Sequence, residues 1–467
     1  MSSRQDQLHS YQYSVQRVVA ALVTHDPDPH RSPLRRAGTT ALISLVIAAL
    51  AVGAAAVYGL LTGQSNVELK DESVVFLEKG SGARYVYLRS DGKLHPVLNY
   101  TSGLLIATAQ APKMVTTSRE RLATMPLGDP LGIPDAPDSL PVKKDLLTGD
   151  WTVCSARATN AGSRVEALST LVVGVPVTGG TVVSPPTAGK GVLVRDPSER
   201  TFLLYGNRRF QFPTSITTAT LRALGWNAQQ PWPVAAAFIN SVPLGPDLRA
   251  PRIEGKGDDS GVDGTRVGQL LTDGRQWSVA VADGAAALTD VQARLLQAQP
   301  DAYAPRTFDP AAFNTLPPSR VRFTGSDGFP ATVPDLIEPQ ERLCMTLPVN
   351  KDTGAGLRAD AEAPTGAPVT GDTGVRGGVQ ADFVHVPRGR GALVVAAASP
   401  TAPAGSGTVS IVTDTARRYP MASRELLGRL GYGAATPRQV PAQMISLLPQ
   451  GASLDATKAR EAAATNP

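Results

Sequence analysis

The stretch FINSVPLGPDL (238–248) recurs in altered form as MISLLPQGASL (444–454), 206 residues further along the chain. The agreement extends upstream to Leu221, and over the whole span nine of ten compared positions are identical and the tenth exchanges one aromatic residue for another. The compared pairs are Leu221/Leu427, Leu224/Leu430, Gly225/Gly431, Trp226/Tyr432, Pro231/Pro437, Val234/Val440, Ile239/Ile445, Pro243/Pro449, Gly245/Gly451 and Leu248/Leu454. A catalytic motif is usually needed once, whereas a structural unit can be used several times. The duplication therefore predicts an internal structural repeat.

Each copy has the same pattern of predicted elements. Two short strands joined by a turn precede an apolar-periodic helix that ends at Leu-Gly, where glycine can adopt the left-handed C-cap conformation. A second short helix then ends at Pro-x-Gly. Weaker copies occur near Pro126 and near Pro317, and the latter lacks the Leu-Gly and the final glycine. The residues predicted to cap the repeat helices are Pro126, Gly128, Gly225, Pro243, Gly245, Gly431, Pro449 and Gly451.

The composition agrees with many short elements joined by turns. The 467 residues include 44 Gly and 39 Pro, and only 5% are aromatic. We predict an α+β protein in which a single transmembrane helix precedes an exported domain. In the exported domain, we predict four repeats around a central β domain, with pseudo-twofold symmetry. The predicted segments are 1–38 (cytoplasmic helix and basic linker), 39–61 (transmembrane helix), 68–140 (repeat 1), 141–188 (central β domain, first part), 189–250 (repeat 2), 265–318 (repeat 3), 319–388 (central β domain, second part, with a long exposed loop at 350–380), 389–454 (repeat 4) and 455–467 (disordered tail).

An uncharged apolar segment, TTALISLVIAALAVGAAAVYGLL, occupies residues 39–61. At about 1.5 Å per residue it reaches roughly 34 Å as a helix, which is enough to cross a bilayer. The alternative is a secretory signal peptide, but about 38 residues precede the segment and it is longer than a typical signal core. Arg31, Arg35 and Arg36 precede it, and no Lys or Arg follows until Lys70. The positive-inside rule therefore predicts a cytoplasmic N-terminus and an exported C-terminal part.

The segment before the membrane predicts an amphipathic helix. Its apolar positions fall on one helical face, and Arg, Gln and Ser lie on the other. This face can pack on a partner protein, lie on the membrane surface or be covered within an oligomer, and we favour a partner. The apolar positions are Leu8, Tyr11, Val15, Val18, Val19 and Leu22.

The chain has two cysteines, Cys154 in WTVCSA and Cys344 in ERLCMTL. A single pair in an exported, oxidising compartment predicts a disulfide bond. It would close a loop of about 190 residues and contribute on the order of 5 kcal/mol in the chain-entropy estimate. The alternative is two unrelated buried thiols.

The sequence shows no catalytic, cofactor-binding or metal-binding constellation. No G-x-x-x-x-G-K-[ST] motif occurs, and the nearest string, TAGKGV (187–192), is interpreted as a turn of the repeat. On the exported side only His95 and His385 remain as histidines, and no G-x-S-x-G motif is present. Net charge is +5 without a basic cluster beyond the N-terminal segment, so nucleic-acid binding is not predicted.

Three strings resemble a known family. GARYVYLRSDGKLHPVLNYTSGLLIA (82–107), PLGDPLGIPDAP (126–137) and WTVCSA (151–156) closely resemble the EccB family of actinobacterial type VII (ESX) secretion systems. The N-terminal SYQYSVQRVVAALV, the single span and the second cysteine match that family too. Two departures are TSG at 101–103, where relatives tend to read Ser-Ala-Arg, and Asp135, where glycine is usual.

The resemblance implies a structural core subunit of an inner-membrane secretion complex. Its implied partners are the EccC motor ATPase, EccD, EccE and the mycosin protease, with no cofactor. Two alternatives stay open, an exported nucleotide hydrolase of the same system and a cell-wall-binding repeat protein.

Overall fold

The computed structural model describes most of the chain. The described residues are 3–25, 33–61, 68–159, 162, 165–183, 189–323, 330–347, 356–370, 378–398, 403 and 406–462. They divide into two compact units. The first unit comprises residues 1–71, 76–82 and 114–125, and the second comprises 72–75, 83–113 and 126–467.

The strands are short and distributed over the whole chain after the second helix. In chain order they are β1 (Val74–Glu78), β2 (Arg84–Leu88), β3 (Lys93–Pro96), β4 (Lys113–Thr117), β5 (Trp151–Thr159), β6 (Val165–Val172), β7 (Thr181–Val182), β8 (Lys190–Arg195), β9 (Thr201–Tyr205), β10 (Arg208–Gln211), β11 (Trp232–Pro233), β12 (Leu270–Thr272), β13 (Trp277–Val281), β14 (Gly284–Leu288), β15 (Arg306–Thr307), β16 (Asp335–Leu336), β17 (Arg342–Leu347), β18 (Gly356–Ala359), β19 (Ala367–Pro368), β20 (Phe383–His385), β21 (Ala392–Ala397), β22 (Val409–Val412), β23 (Arg418–Pro420) and β24 (Arg438–Pro441).

Two long helices precede the strands, and the later helices are short. In chain order they are α1 (Arg4–Thr24), α2 (Pro33–Leu61), α3 (Tyr100–Ile106), α4 (Arg119–Leu122), α5 (Thr217–Ala223), α6 (Ala236–Ser241), α7 (Asp290–Gln297), α8 (Pro310–Asn314), α9 (Leu426–Arg429), α10 (Ala442–Ile445) and α11 (Ala456–Ala459).

The first unit contains both N-terminal helices. Helix α1 begins at a capping box formed by Ser3 and Asp6, and it ends where His25 adopts a left-handed backbone conformation. Among the described residues, one helix is long and apolar enough to cross a membrane, at Gly38–Tyr58 within α2. In the same unit, the Lys79 N–H donates to the carbonyl oxygen of Thr117 at 2.9 Å.

In the second unit, three sheets share one order of four strands, and in one of them β16 pairs with β8 as a fifth strand. The sheets are β10-β9-β8-β11, β14-β13-β12-β15 and β23-β22-β21-β24. In each, three antiparallel strands follow one another and the fourth pairs in parallel with the first. This crossover explains why a helix lies between the third and fourth strands, because a parallel return needs a longer connection than a hairpin. The number of repeats and their boundaries stay predictions.

The second unit also contains a seven-stranded sheet of order β19-β20-β6-β5-β17-β18-β7. Its strands come from two stretches of sequence, 151–182 and 342–385. Fully buried residues of this sheet, including Val153, Leu171 and Leu343, share one apolar core with residues of β8, β9, β21 and α6. The sheet therefore packs directly against its neighbouring elements within the unit.

The predicted exposed loop at 350–380 is wrong for part of its length. Residues 350–355 and 371–377 lie outside the described residues. Between them, β18 pairs with β17, and Leu357 and Ala359 are buried. The polar and glycine-rich composition gave no signal for a strand here, because β18 depends on hydrogen bonds to its partner β17.

The predicted disordered tail at 455–467 is wrong for residues 455–462. Helix α11 begins after Asp455, whose side chain accepts the Thr457 N–H at 2.8 Å. Ala459 is fully buried in a core with Leu104 and Leu105, and the Arg460 side chain donates to the Ile106 carbonyl oxygen at 3.1 Å. Small alanine side chains allow this close packing. Residues 463–467 lie outside the described residues.

Candidate functional site

The two cysteines form a disulfide bond at the centre of the seven-stranded sheet. Cys154 on β5 lies directly opposite Cys344 on β17, with an S–S distance of 2.05 Å. Both residues are buried, and the apolar side chains of Val172, Val177 and Ala361 surround them. The predicted disulfide is therefore present, and the alternative of two unrelated thiols is wrong.

The Leu-Gly sequences place glycine at helix ends. Gly225 and Gly431 have φ of 80° and 84°, the left-handed region that favours glycine. The Trp226 N–H donates to Leu221 O at 2.8 Å, and the Tyr432 N–H donates to Leu427 O at 2.7 Å. These bonds from the residue after the glycine are those of a Schellman C-cap.

The Pro-x-Gly segments do more than end a helix. In each, the proline carbonyl oxygen accepts an N–H from the third strand of a sheet, and the glycine N–H returns a bond to that same strand residue. All six distances lie between 2.8 and 3.0 Å. The strand residues and their segments are Leu94 with Pro126 and Gly128, Arg209 with Pro243 and Gly245, and Arg418 with Pro449 and Gly451. The segment thus adds a short parallel bridge beside the third strand.

Glycine is required in these bridges because an aromatic ring lies directly against it. A Cβ at Gly245 would stand 2.6 Å from Phe210, and one at Gly451 would stand 2.2 Å from Tyr419. At Gly128 the ring is His95, again at 2.2 Å. Such distances are far below van der Waals contact.

The copy near Pro317 has different residues at the glycine position and at the ring position. Ala285 on β14 bonds to Pro317 O at 2.7 Å and accepts from the Ser319 N–H at 3.0 Å. Ser319 stands where the other copies have glycine, and Ala286 stands where they have a ring. A small strand side chain therefore leaves room for a larger one in the bridging segment.

The ring residues were not predicted from the sequence, although the sequence contains a signal for two of them. Phe210 and Tyr419 follow paired arginines in NRRFQFP and TARRYP, at matching places in the two clearest copies. Their role could not be deduced because the glycine that they contact lies 32 to 35 residues further along the chain.

The two histidines that follow helix α2 lie in separate hydrogen-bonding environments. His95 is buried, with Nδ1 2.8 Å from Asp129 O and Nε2 2.9 Å from Asp91 Oδ2. His385 Nδ1 lies 2.9 Å from Thr365 O. Within the described part of the chain, no group of three His, Cys, Asp or Glu residues is arranged to hold a metal ion.

Comparison with known proteins gives the family. A family model described as "Type VII secretion system ESX-1, transport TM domain B", the EccB component, matches residues 1–467. The chain belongs to the EccB family. The resemblance recognised in its sequence is thus confirmed.

Several characterised EccB proteins are similar in sequence. The ESX-2 secretion system ATPase EccB2 of Mycobacterium tuberculosis is 30% identical over 285 residues, covering 59% of this chain and 56% of that relative. The ESX-3 protein EccB3 of Mycolicibacterium smegmatis is 26% identical over 498 residues, covering 99% and 91%. The ESX-5 protein EccB5 of Mycobacterium tuberculosis is 27% identical over 483 residues, covering 97% and 92%. The match to EccB2 spans little more than half of that protein.

Solved EccB structures share the fold. A chain of an intact ESX-5 inner membrane complex matches with a TM-score of 0.67 at 24% identity, covering 100% of this chain and 96% of that one. A chain of an EccB3 dimer from the ESX-3 core complex matches with a TM-score of 0.62 at 24% identity, covering 83% and 100%. The predicted α+β class with one N-terminal apolar helix is confirmed.

One departure from the usual EccB sequence has a structural reading. Asp135 has φ of 60°, in the left-handed region. Aspartate is among the few residues other than glycine that adopt this conformation with moderate strain. The left-handed backbone at this position is therefore one that aspartate can adopt.

Proposed function

We propose that this EccB-family chain anchors and organises the extracytoplasmic face of the inner-membrane type VII secretion complex. Membership of the EccB family makes it a structural subunit of that complex. The observation that carries the proposal is the match of the family model to all 467 residues. The chain has a membrane helix, several sheets extended by Pro-x-Gly bridges and a central sheet with a disulfide bond. Such an arrangement is suited to holding partners in fixed positions.

The proposed orientation places residues before α2 in the cytoplasm and those after it outside. Arg35 and Arg36 precede the apolar segment, and the next cation is Lys70. Such an asymmetry orients a single span with its basic side inward. The disulfide supports an exported location for the second unit, because disulfides persist in oxidising compartments.

The apolar face of α1 is a proposed contact for a partner subunit. Leu8, Tyr11, Val18 and Leu22 are all exposed in the isolated chain. An exposed row of large apolar side chains is typical of an interaction surface. By family resemblance, the proposed partners are the EccC, EccD and EccE components, with the mycosin protease near the exported face. The ESX-5 complex and EccB3 dimer formed by relatives support self-association as well.

Affinity purification tests the proposal. The tagged chain, solubilised in mild detergent from its own cells, should retain EccC- and EccD-type subunits. Changing Tyr11→Ser and Leu22→Ser on the apolar face should release partners bound there, while Gln12→Ser on α1 serves as the matched control. A purified chain with no secretion subunits attached would reject the scaffold function.

A second candidate function is ATP hydrolysis, because the curated relatives carry the word ATPase in their names. The chain has no P-loop sequence to support it. The test is nucleotide turnover by the purified chain free of the motor subunit. Turnover that persists through further purification would favour the enzyme over the scaffold.

A further inference from the structure

A polar cleft of 300 Å³ lies beside the sheet that contains β8 and β11. Its walls come from the end of β5, the turn before β11 and the segment after β16. Leu193, Leu336 and Ile337 supply apolar surface, and Gln229, Gln230 and Glu338 supply polar groups. A cleft lined by apolar side chains together with convergent polar groups is typical of small-ligand sites.

Hydrogen bonds donated by main-chain N–H groups fix two of the three walls of the cleft. The Ile337 N–H donates to Gly191 O at 2.8 Å, and the Gln229 N–H donates to Trp226 O at 3.0 Å. The Gln340 N–H donates to the Asp360 carboxylate at 3.0 and 3.1 Å. The cleft is therefore formed before any ligand arrives, which lowers the entropy cost of binding.

The charged side chains of the cleft form no ion pair with any residue that the structure describes. The Arg157 guanidinium stacks on the Trp232 ring, 4.8 Å from its centroid. Burial lowers the pKa of Arg157 below its usual value. In the described part of the chain, no carboxylate pairs with Arg157 and no cation pairs with Glu338. The buried indole N–H of Trp232 likewise has no acceptor among the described residues.

These groups select a particular ligand chemistry. Arg157 offers a forked donor that matches a carboxylate, and Glu338 accepts from an ammonium or amide N–H. The glutamine side chains can donate to and accept from peptide groups. A phosphate is disfavoured because it offers Glu338 no N–H donor, and a sugar cannot stack on the Trp232 face that Arg157 covers. We propose that the cleft binds a short peptide segment through a carboxylate held by Arg157.

Ligand-observed NMR on the full-length chain in detergent tests this site. The probes are trialanine with free termini, trialanine amide and acetyl-Ala-Asp-Ala-amide. Trialanine binding that is lost on amidation identifies a C-terminal carboxylate. Binding of the internal-aspartate peptide identifies a side-chain carboxylate. Either result supports the proposal, whereas failure of both acids to bind overturns it.

Substitutions locate the binding in the cleft. Arg157→Gln should weaken the bound acid at least tenfold, as loss of a charge-assisted pair does. Arg157→Lys should recover only part, because it lacks the fork. Glu338→Gln should weaken trialanine but leave N-acetylated trialanine unchanged. The control is Arg208→Gln, an exposed arginine on β10 that does not line the cleft. Equal binding by all variants, or preferential binding of chitotriose, would overturn the proposal.

Discussion

At the scale of single residues, close contact between a glycine and a ring explains the recurring Pro-x-Gly. The proline ends the helix, and its carbonyl oxygen bonds to the third strand. The glycine is fixed by the ring of Phe210 or Tyr419 rather than by backbone conformation, since neither Gly245 nor Gly451 has positive φ. In the copy near Pro317, the larger Ser319 stands at the glycine position and the small Ala286 stands at the ring position.

Gly451→Ala is predicted to destabilise the protein by about 1–3 kcal/mol, because the new methyl group must displace Tyr419. In a Tyr419→Ala background the same change should cost little. Denaturant unfolding of the four proteins of this double-mutant cycle measures the coupling. The control is Gly356→Ala, where a Cβ meets no atom within 4 Å. An equal cost in both backgrounds would show that the ring is not the cause.

A second residue-scale feature is the carboxylate of Asp360, which accepts the N–H groups of Gln340, Glu341 and Arg342. Partial burial alone would raise the pKa of Asp360, but these donors and the Arg342 charge together lower it below its usual value. Since the pKa is lowered by folding, the stabilisation is complete above the usual aspartate value of about 3.9. It is lost as the pH falls through the lowered pKa.

Asp360→Asn is predicted to lower the free energy of unfolding at pH 7 by about 1–3 kcal/mol, as expected for weakened bonds to a charged acceptor. The loss of stability below pH 4 should be smaller in this variant than in the parent. Unfolding midpoints between pH 3 and pH 7 measure both effects. Asp263→Asn, at an exposed position on another loop, is the matched control.

At the scale of elements, the central sheet unites two distant stretches of sequence. Strands β5 and β17 are adjacent, yet the cysteines that they bring together are 190 residues apart. Because such a long loop is entropically costly to close, the disulfide stabilises the sheet mainly by restricting the unfolded chain.

Replacing both cysteines, Cys154→Ala with Cys344→Ala, is predicted to lower the free energy of unfolding by up to about 5 kcal/mol. Membrane insertion should be unaffected, because it depends on α2. Thermal unfolding and membrane fractionation check the two expectations, and the parent protein after reduction should behave like the variant. Unchanged thermal stability, or two titratable thiols in the native parent protein, would contradict this account.

At the scale of the whole molecule, the apolar helix α2 and the sheets of shared strand order suit the proposed scaffold function. Three sheets of the second unit share one strand order, so the same framework recurs along the chain. A recurring framework is suited to presenting several contact surfaces in a complex.

The proposed membrane orientation predicts a labelling pattern. In right-side-out membrane vesicles, a cysteine introduced by Arg275→Cys should react with an impermeant maleimide, because it lies in an exported turn. A cysteine introduced by Gln7→Cys on α1 should react only after permeabilisation. The native pair stays unreactive as a disulfide. The reverse pattern would invert the assigned topology.

The sequence by itself determined the features that depend on neighbouring residues. The apolar run of α2, the helix ends at Gly225 and Gly431, and the duplicated pattern were all readable, because hydrophobic length, glycine conformation and periodicity act over a few residues. The disulfide was predictable as well, because the sequence has a single pair of cysteines in a part predicted to be exported.

Only the tertiary structure decided what depends on residues far apart in the chain. The glycine-to-ring contacts, the Asp360 carboxylate beneath residues 340–342, strand β18 and helix α11 each need a partner many residues away. From local composition, β18 was predicted as part of a loop and α11 as part of a disordered tail. Both predictions were wrong because burial against a distant surface outweighs a weak local preference for irregular structure. The cleft at Arg157 likewise arises only when β5, the turn before β11 and the segment after β16 come together.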